Sequence, residues 1–325
     1  MKIGFCYDTK VDYGYSEDNL EYTDFVSLNT VSEIGKAIEQ NGYTLEYIGN
    51  VYKLREQLVN NTFDCDLVFN IAEGFGSRNR EAILPGLLEL YNIPHTASDV
   101  YGMSINMNKQ HTKILANSIG IPVANGFCFD SLSDEVIKQA RKLKLPFILK
   151  PNCEGGSMGL YLIHSIEDFI KKSNFLIETY SFELLAEEYI EGVEITVPVI
   201  GNGKDTTALG VVTILNEDGT NINLYNNSLK QIDNVINSPD FTYGNALKNR
   251  ILDYSVKIHK FFHLYDYSRM DFRISPDGTP YFLEINAMPS LCRNCSFEQC
   301  GKQNGLSYYQ VIGKIIDAAR TRYNI

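Results

Sequence analysis

Strand-like and helix-like segments alternate from the first residues of the chain, and this alternation is the strongest constraint on its fold. Short apolar runs separated by amphipathic helical patterns predict a small doubly wound α/β unit. The predicted order is a strand at residues 2–7, a helix around 31–40, strands at 43–48 and 67–71, and a helix around 81–91. The segment Thr30-Val31-Ser32-Glu33 has the spacing of a capping box, so we expect the first helix to begin there.

The rest of the chain has the mixed pattern of α+β units. The elements expected there are helices at 108–118, 134–143, 245–264 and 306–322, strands at 121–129, 145–150, 182–190, 194–200 and 208–215, and a hairpin at 268–286. A polar stretch at 216–242 has little periodicity, and polar loops of that length are usually lids or disordered. We therefore divide the 325 residues into three domains, 1–100, 101–183 and 184–325.

The charge balance is acidic, since 29 Lys and Arg against 40 Asp and Glu give a net charge of −11. We expect no nucleic-acid partner and no membrane partner, because nucleic acids and anionic lipid surfaces are themselves negatively charged. No apolar run approaches the roughly 18 residues of a membrane span, and the first residues do not resemble a secretion signal. The seven cysteines, an odd number scattered along the chain, favour reduced thiols in a cytoplasmic protein.

An Asp-Gly pair between two alternating runs, at Asp277-Gly278, predicts a β-hairpin. Side chains alternate between the two faces of a strand. A two-residue loop therefore places Asp271 opposite Glu284 and Arg269 opposite Asn286. All four side chains then lie on one face of the hairpin. The apolar residues on the other face, toward the core, would be Met270, Phe272, Leu283 and Ile285.

Two carboxylates that face each other across a hairpin repel, so we expect a positive group between them. A divalent cation with oxygen ligands, Mg²⁺ above all, would suit Asp271, Glu284 and the amide oxygen of Asn286. The alternative is a solvated face on which Arg269 neutralises the acids. For the hairpin alone the solvated face is the better interpretation, and the other motifs of the chain reverse that preference.

A glycine-rich turn follows a strand-like run at Lys150-Pro-Asn-Cys-Glu-Gly-Gly-Ser-Met-Gly159. Glycines allow backbone N–H groups to close around phosphates, and the leading Lys supplies a positive charge. The turn lacks the spacing of a Walker loop. Taken alone, the motif is equally compatible with a plain turn.

Several motifs in a fixed order resemble the D-alanine–D-alanine ligases of the ATP-grasp family. They are Asn108-Lys109-x-x-x-Lys113, Lys150-Pro-x-x-Glu154-Gly-Gly-Ser157-x-Gly159, Glu187-Glu188-Tyr189-Ile190-x-Gly192-x-Glu194, Arg269-x-Asp271 and Leu283-Glu284-Ile-Asn286-x-x-Pro289, with Gly86-Leu-Leu-Glu89 before them. The resemblance covers essentially the whole chain. It implies an ATP-grasp fold of α/β and α+β units with an N-terminal doubly wound α/β domain. It also implies ATP and two Mg²⁺ ions, with Mn²⁺ as a substitute, in a carbon–nitrogen ligase that forms ADP and phosphate through an acyl phosphate.

The resemblance also implies roles for individual residues. The ATP-binding residues would be Lys109, Lys150, Glu154, Gly155, Gly156, Ser157, Glu187, Glu188, Tyr189, Ile190, Glu194 and Lys230. The metal ligands would be Asp271, Glu284 and Asn286, and the catalytic residues Arg269, Lys230 and Ser157. Arg269 would stabilise the tetrahedral oxyanion together with a backbone N–H near Ser290 or Leu291. For Lys230 the alternative is an ordinary solvated loop lysine.

The match is weaker where the amino-acid substrates would bind. Thr23 stands where the family carries the Glu that meets the first amino group, and Gly156 and Gln231 replace residues that accompany D-alanine specificity. The expected substrate-binding residues are Glu21, Glu73, Arg78, Arg80, Ser290, Arg293, Cys295 and Ser296. Arg78 and Arg80 would meet a substrate carboxylate or pair with Glu73 and Glu81.

The motifs together predict an ATP-dependent ligase that joins the carboxylate of one amino acid to the amine of a second. Two alternatives stay open: a ligase for a pair other than D-alanine in specialised metabolism, and a nucleotide-binding protein without turnover. By analogy with the family, a homodimer is expected. The spacing of Cys292, Cys295 and Cys300 also permits a metal site, although three thiols lack an obvious fourth ligand.

Overall fold

The computed structural model describes residues 1–16, 25–156, 158–180, 182–222 and 235–325. Its first sheet is parallel. Strand β1 (Lys2–Tyr7) lies between β2 (Thr44–Gly49) and β3 (Leu67–Ile71). Helices α1 (Leu28–Gln40), α2 (Val51–Val59) and α3 (Arg80–Leu90) follow the three strands in turn. The predicted alternation is confirmed, and the structure adds α2, which the sequence pattern did not indicate.

The first helix begins three residues earlier than its capping-box pattern predicts. Ser27 is the N-cap, and its side chain accepts a hydrogen bond of 3.2 Å from the backbone N–H of Thr30. Thr30 lies inside the helix, where it is buried and its hydroxyl is 3.1 Å from the Ser27 hydroxyl. The predicted start at Thr30 is therefore wrong, because Ser27 offers an equally good capping oxygen one turn earlier.

The middle part of the chain forms an antiparallel sheet that has a core of its own. Its strands are β4 (Gly126–Phe129), β5 (Phe147–Pro151), β6 (Tyr161–Ile163) and β7 (Leu184–Glu188), in the spatial order β4-β7-β5-β6. The helices of this part are α4 (Val100–Asn106), α5 (Lys109–Ser118), α6 (Asp134–Ala140) and α7 (Ile166–Thr179). The core contains Phe129, Phe147 and Phe169 in edge-to-face contact. The predicted strand at 121–129 is shorter because the carbonyl of Pro122 accepts a hydrogen bond from Phe282 of another sheet.

The last sheet packs on the first sheet through a shared core. Its strands are β8 (Val193–Ile200), β9 (Thr207–Ala208), β10 (Val212–Asn216), β11 (Val235–Ser238), β12 (Tyr267–Ile274) and β13 (Pro280–Asn286), in the order β11-β10-β8-β12-β13 with β9 beside β8. The remaining helices are α8 (Asn245–Phe261), α9 (Ser296–Gln303) and α10 (Tyr308–Tyr323). One apolar cluster contains Phe5 and Phe69 of the first sheet and Phe272 of the last. The division into three domains stays a prediction.

The β12–β13 hairpin has the predicted pairs at the site but a different turn. Arg269 faces Asn286 and Asp271 faces Glu284, as predicted. The turn is longer than two residues, since Ile274 faces Pro280 and residues 275–279 lie between them. Within the turn, the side chain of Asp277 accepts hydrogen bonds from the Ser275 hydroxyl and the Thr279 backbone.

A bulge beside Asp271 compensates for the longer turn. Phe272 faces Phe282, so Leu283 is the additional residue of the pairing and its side chain lines a cleft. The prediction that Leu283 faces the core is wrong, and Phe282 packs against Phe272 in its place. The bulge lies between the two carboxylates and the turn, so it restores the pairing of Asp271 with Glu284.

A disulfide joins Cys292 to Cys295, so the expectation of reduced thiols is wrong for this pair. It also removes the proposed metal site with Cys300, because a metal binds thiolates and not disulfide sulfurs. The free cysteines are Cys6, Cys65, Cys128, Cys153 and Cys300. Among the described residues, no helix has both the length and the apolar character that a membrane crossing needs.

Candidate active site

A cleft of about 770 Å³ lies between the middle sheet and the last sheet. Its walls come from the start of α5, from β5, from β7 and the residues after it, and from the β12–β13 hairpin. The predicted ATP-binding and metal-binding residues that line it are Lys109, Lys150, Glu154, Glu187, Glu188, Tyr189, Ile190, Glu194, Asp271 and Glu284. Residues that are far apart in the sequence therefore meet in one cleft.

The floor of the cleft contains a buried carboxylate between two buried lysines. Glu187 Oε1 is 2.8 Å from Lys150 Nζ, and its other oxygen contacts Lys113 Nζ. Burial would raise the pKa of the Glu187 carboxyl, but the two ammonium groups outweigh burial and lower it to about 2. Burial lowers the pKa of Lys113 to about 8. Repulsion from Lys150 acts in the same direction, and together they outweigh the attraction of Glu187. For Lys150, burial is outweighed by Glu187 and Glu284, which raise its pKa.

Lys109 connects the start of α5 to the hairpin. Its ammonium donates to the carbonyl of Glu154 at 2.6 Å and lies 3.1 Å from Glu284 Oε2. The backbone of Asn152 holds Lys109 in place, because its carbonyl accepts from the Lys109 N–H at 3.2 Å. Burial would raise the pKa of Glu284, but Lys109 and Lys150 outweigh burial and lower it to about 2.

Asp271 is surrounded by donors. Arg269 donates to both of its oxygens, at 2.9 and 2.8 Å, and Asn286 Nδ2 donates to one of them at 2.9 Å. The hydroxyl of Thr196, on the neighbouring strand β8, donates at 2.6 Å. Arg269 therefore neutralises Asp271, as the solvated-face alternative expects, although Asp271 itself is only 8% exposed.

Glu194 is held on β8 directly opposite Arg273 of β12. Burial raises the pKa of Glu194 to about 7, even though the Arg273 guanidinium lies 3.4 Å away. Glu188, a further carboxylate of the cleft, accepts hydrogen bonds from the backbone and side-chain N–H groups of Asn125 at 3.3 and 3.0 Å. Glu188 thus joins the end of β7 to the segment before β4.

A second cavity, of about 940 Å³, lies next to the first and shares the hairpin with it. Its lining includes Arg269 and Asn286 from the hairpin, and Gly155 and Gly156 from the glycine-rich turn. Ser290 and Leu291 lie on the loop after β13 and also line it. Since Asp271 and Glu284 line the first cavity, the hairpin side chains form the wall between the two.

Carboxylates from the N-terminal part of the chain also face the second cavity. Glu73, predicted as a substrate residue, lines it, and so does Glu81, which is 8% exposed. Glu81 accepts a hydrogen bond of 3.0 Å from Asn106 Nδ2. Asn106 Oδ1 is buried and has no hydrogen-bond partner among the described residues. This part of the cavity therefore attracts cationic or hydrogen-donating groups.

The two predicted arginines that follow β3 differ in position. Arg78 is exposed. Arg80 is 7% exposed, and its guanidinium lies 3.5 Å from both the Glu154 carboxylate and the Cys153 carbonyl. Arg80 thus contacts the segment that leads into the glycine-rich turn, a partner that the sequence analysis did not foresee.

Three residues predicted for the second amino acid do not line the second cavity. Arg293 pairs with Glu298 at 2.9 Å and Glu33 at 2.8 Å. Cys295 is in the disulfide and caps α9, and Ser296 is buried in the first turn of that helix. Arg293 is therefore held by two carboxylates that would compete with a substrate, and its substrate role stays a prediction. Ser290, another predicted substrate residue after the hairpin, does line the cavity.

Four predicted site residues lie outside the described part of the chain or at its edge. Ser157, Lys230 and Glu21 are outside the described residues, and so are Thr23 and Gln231. Gly156, next to Ser157, has a backbone φ of 62°, a conformation that favours glycine.

Several site residues were missed by the sequence analysis. Arg273 continues the alternation Arg269-x-Asp271-x-Arg273 on one strand face, so strand periodicity could have found it. Lys113 is one helical turn after Lys109 and was recorded only as part of a motif. Nothing local in the sequence marks Asn106 or Thr196, whose roles depend on distant partners.

The chain matches the family model described as "D-ala D-ala ligase C-terminus" over residues 115–317. The chain belongs to this ligase family. The D-alanine–D-alanine ligase of Aquifex aeolicus is 27% identical over 291 residues, which cover 90% of this chain and 94% of the relative. The family assignment identifies this ligase as an ATP-grasp enzyme that carries out ATP-dependent carboxylate–amine ligation. The alternative of a nucleotide-binding protein without turnover is not supported.

Solved structures agree with this assignment at the level of the fold. The Bacillus anthracis D-alanine–D-alanine ligase complexed with ATP has a TM-score of 0.78 and 21% identity, covering 100% of this ligase and 98% of that chain. The VanG D-Ala:D-Ser ligase from Enterococcus faecalis has a TM-score of 0.76 and 21% identity, covering 98% and 99%. The predicted ATP-grasp fold is therefore confirmed.

Proposed function

We propose that this ligase activates the carboxylate of one amino acid as an acyl phosphate in the cleft and joins it to the amine of a second amino acid in the adjoining cavity. The observation that supports this most directly is the position of the hairpin face. Asp271 and Glu284 face the cleft that contains Lys109 and Lys150, while Arg269 and Asn286 face the second cavity. A phosphoryl group that passes from ATP to a carboxylate would have to cross at this wall.

The cleft residues are assigned to ATP as follows. Lys109 and Lys150 would contact the phosphates, with the Gly155–Gly156 turn and, outside the described residues, Ser157 and Lys230 closing over them. Residues 187–190 would hold the adenine through backbone groups, and Glu194 would accept hydrogen bonds from the ribose hydroxyls. Lys150 and Lys113 both approach Glu187, which fixes the floor on which the base would lie.

The donor set at the wall fits Mg²⁺. Asp271, Glu284 and the amide oxygen of Asn286 are hard oxygen ligands, and without a cation their charge is neutralised by Arg269 and Lys109. The amide of Asn286 now points its nitrogen at Asp271, and rotation of the amide would present its oxygen. When bound, Mg²⁺, or Mn²⁺ in its place, would neutralise charge on the phosphoryl oxygens.

The chain's own groups then serve the two steps. Lys109 and Lys150 stabilise the negative charge of the transferred phosphoryl group. Arg269, at the wall, stabilises the oxyanion that forms when the amine attacks the acyl carbonyl, together with a backbone N–H near Ser290 or Leu291. Tyr308 supports this loop, because its hydroxyl donates to the Leu291 carbonyl at 2.8 Å. Water must be excluded, since it would hydrolyse the acyl phosphate.

The second cavity favours amino-acid substrates, because Glu73 and Glu81 would attract an ammonium group. Relatives named D-alanine–D-alanine ligase make D-alanine the first substrate to test. A different amino-acid pair is the second candidate, and one observation favours it: the predicted acceptor residues Arg293, Cys295 and Ser296 do not line the cavity. We also infer a cytoplasmic homodimer that uses ATP and binds neither nucleic acid nor membranes.

The test is ADP release with a panel of D- and L-amino acids, singly and in pairs. We expect a pair to stimulate release at least tenfold over ATP alone, and Asp271→Asn to abolish that stimulation. Asp277→Asn, in the exposed turn of the same hairpin, is the matched control and should keep full activity. If no pair stimulates ADP release while the protein binds ATP, the ligation of two amino acids is disproved.

A further inference from the structure

Arg273 touches three parts of the nucleotide cleft at once. It faces Glu194 across the β8–β12 pairing, with its Nη2 3.4 Å from Glu194 Oε2. Its Nη1 lies 3.5 Å from the carbonyl oxygen of Ile190, in the segment assigned to adenine. Its guanidinium carbon lies 5.4 Å from the centre of the Tyr189 ring, within the range of a cation–π contact.

The same guanidinium also contacts the backbone of Ile222. Nη2 donates to the Ile222 carbonyl at 3.0 Å, and Ile222 is 1% exposed. Ile222 packs against Val212 and Ile214 of β10. Arg273 itself is 4% exposed, so its partners are fixed by packing and not by chance contact at a surface.

A cation that served only to neutralise Glu194 would need one partner. The Arg273 guanidinium is a planar fork with several donors, and here the fork spans a carboxylate and two backbone carbonyls. Two of these partners, Glu194 and Ile190, line the cleft from different segments. The fork therefore fixes the distance between the ribose-binding carboxylate and the adenine-binding segment.

We propose that Arg273 is a positioning residue for nucleotide recognition: by holding Glu194 and the 189–190 segment in one geometry, it makes the cleft select nucleotides that carry ribose hydroxyls. This inference rests on the proposed role of Glu194 and extends it. Arg273 does not itself contact the reacting atoms. It acts through Glu194, whose carboxylate can accept two hydroxyl hydrogen bonds only if its direction is fixed.

The test compares the binding of ATP with that of 2′,3′-dideoxy-ATP by titration calorimetry, with no amino acid present. Hydrogen bonds to a charged group contribute roughly a tenfold to hundredfold preference, so wild type should bind ATP at least about tenfold more tightly. In Arg273→Met this ratio should fall to within about threefold. Arg273→Lys keeps the charge but loses the fork, and its ratio should lie between the two.

A purely structural role would change stability and leave the ratio intact. Arg322→Met is the matched control, because Arg322 is another largely buried arginine, which bonds Asp266, His95 and Ala97 away from the cleft. It should lower stability and keep the wild-type ratio. The inference is overturned if a folded Arg273 variant keeps the wild-type ratio of ATP to 2′,3′-dideoxy-ATP affinity. It is also overturned if the wild-type protein does not prefer ATP. Wild-type ADP release is measured separately, so failure here is distinct from failure of the ligase proposal.

Discussion

Glu187→Gln is the most informative single change, because it removes the one carboxylate that two buried lysines contact in the cleft floor. Glu187 is 3% exposed, Lys113 2% and Lys150 9%. Removing one partner of a buried ion pair costs roughly 3–5 kcal/mol, since it leaves an uncompensated charge in the interior. We therefore expect the free energy of unfolding to fall by about 3–5 kcal/mol at pH 7, measured by urea denaturation with circular dichroism.

A second substitution identifies the source of this loss. In Glu187→Gln/Lys113→Met only the ammonium of Lys150 loses its partner, and Glu284 still attracts that ammonium. The double variant should therefore recover more than about 1 kcal/mol of the loss. Glu188→Gln, at the next position, is the control, and it should cost less than about 1 kcal/mol because Glu188 is only partly buried and bonds the neutral side chain of Asn125. A double variant no more stable than Glu187→Gln would refute the buried-charge explanation.

Three further outcomes are expected. Thiol titration of the unfolded protein should give five free thiols without reductant and seven after reduction, because Cys292 and Cys295 are joined; seven in both would remove the disulfide. Burial lowers the pKa of both His95 and His259 to about 4, so the unfolded state binds the protons first and stability falls as pH drops from 6.5 toward 4. The free energy of unfolding should change with pH by up to about 2.7 kcal/mol per pH unit for the two residues. His259→Gln should reduce this slope, while His111→Gln, on the exposed surface of a helix, should not. Chelating divalent cations with EDTA should weaken ATP binding, measured by calorimetry, and added Mg²⁺ should restore it; ATP affinity unchanged by EDTA would contradict the metal assignment.

The sequence predicted the parts of the fold that depend on local pattern. Strands β1 and β3 have the predicted bounds, because an apolar run between polar segments is a local signal. Helix α2 was missed since its apolar face is short, with Leu54 and Leu58 its buried residues. The predicted strand at 208–215 is divided between β9 and β10, and the Leu209 N–H between them donates to Pro198. Such long-range pairing is not visible in a local pattern.

In the site too, local patterns were predicted from the sequence and long-range contacts were not. The pairing of Asp271 with Glu284 was predicted for the wrong reason, because a longer turn and a bulge together restore the register that a two-residue loop would give. The motif residues reach the cleft because each lies at a defined place on a strand or helix end. Arg293 and Cys295 lie outside the second cavity, where their near neighbours Glu298 and Cys292 hold them, and their substrate role stays a prediction. Sequence motifs identify which groups are present, whereas competition among neighbours decides which stay available.

The charge of the cleft explains how an acidic chain could bind a polyanion. The described lining contains six carboxylates, Glu154, Glu187, Glu188, Glu194, Asp271 and Glu284, against three cations, Lys109, Lys150 and Arg273. All three cations are already paired with carboxylates of the same cleft, Lys109 with Glu284, Lys150 with Glu187 and Arg273 with Glu194. Triphosphate adds further negative charge to a lining that is net negative, so the lysines alone cannot neutralise it. Divalent cations at Asp271 and Glu284 would turn these carboxylates from repulsive groups into binding groups. The net negative lining of the cleft therefore favours the metal-assisted binding that the proposed function includes.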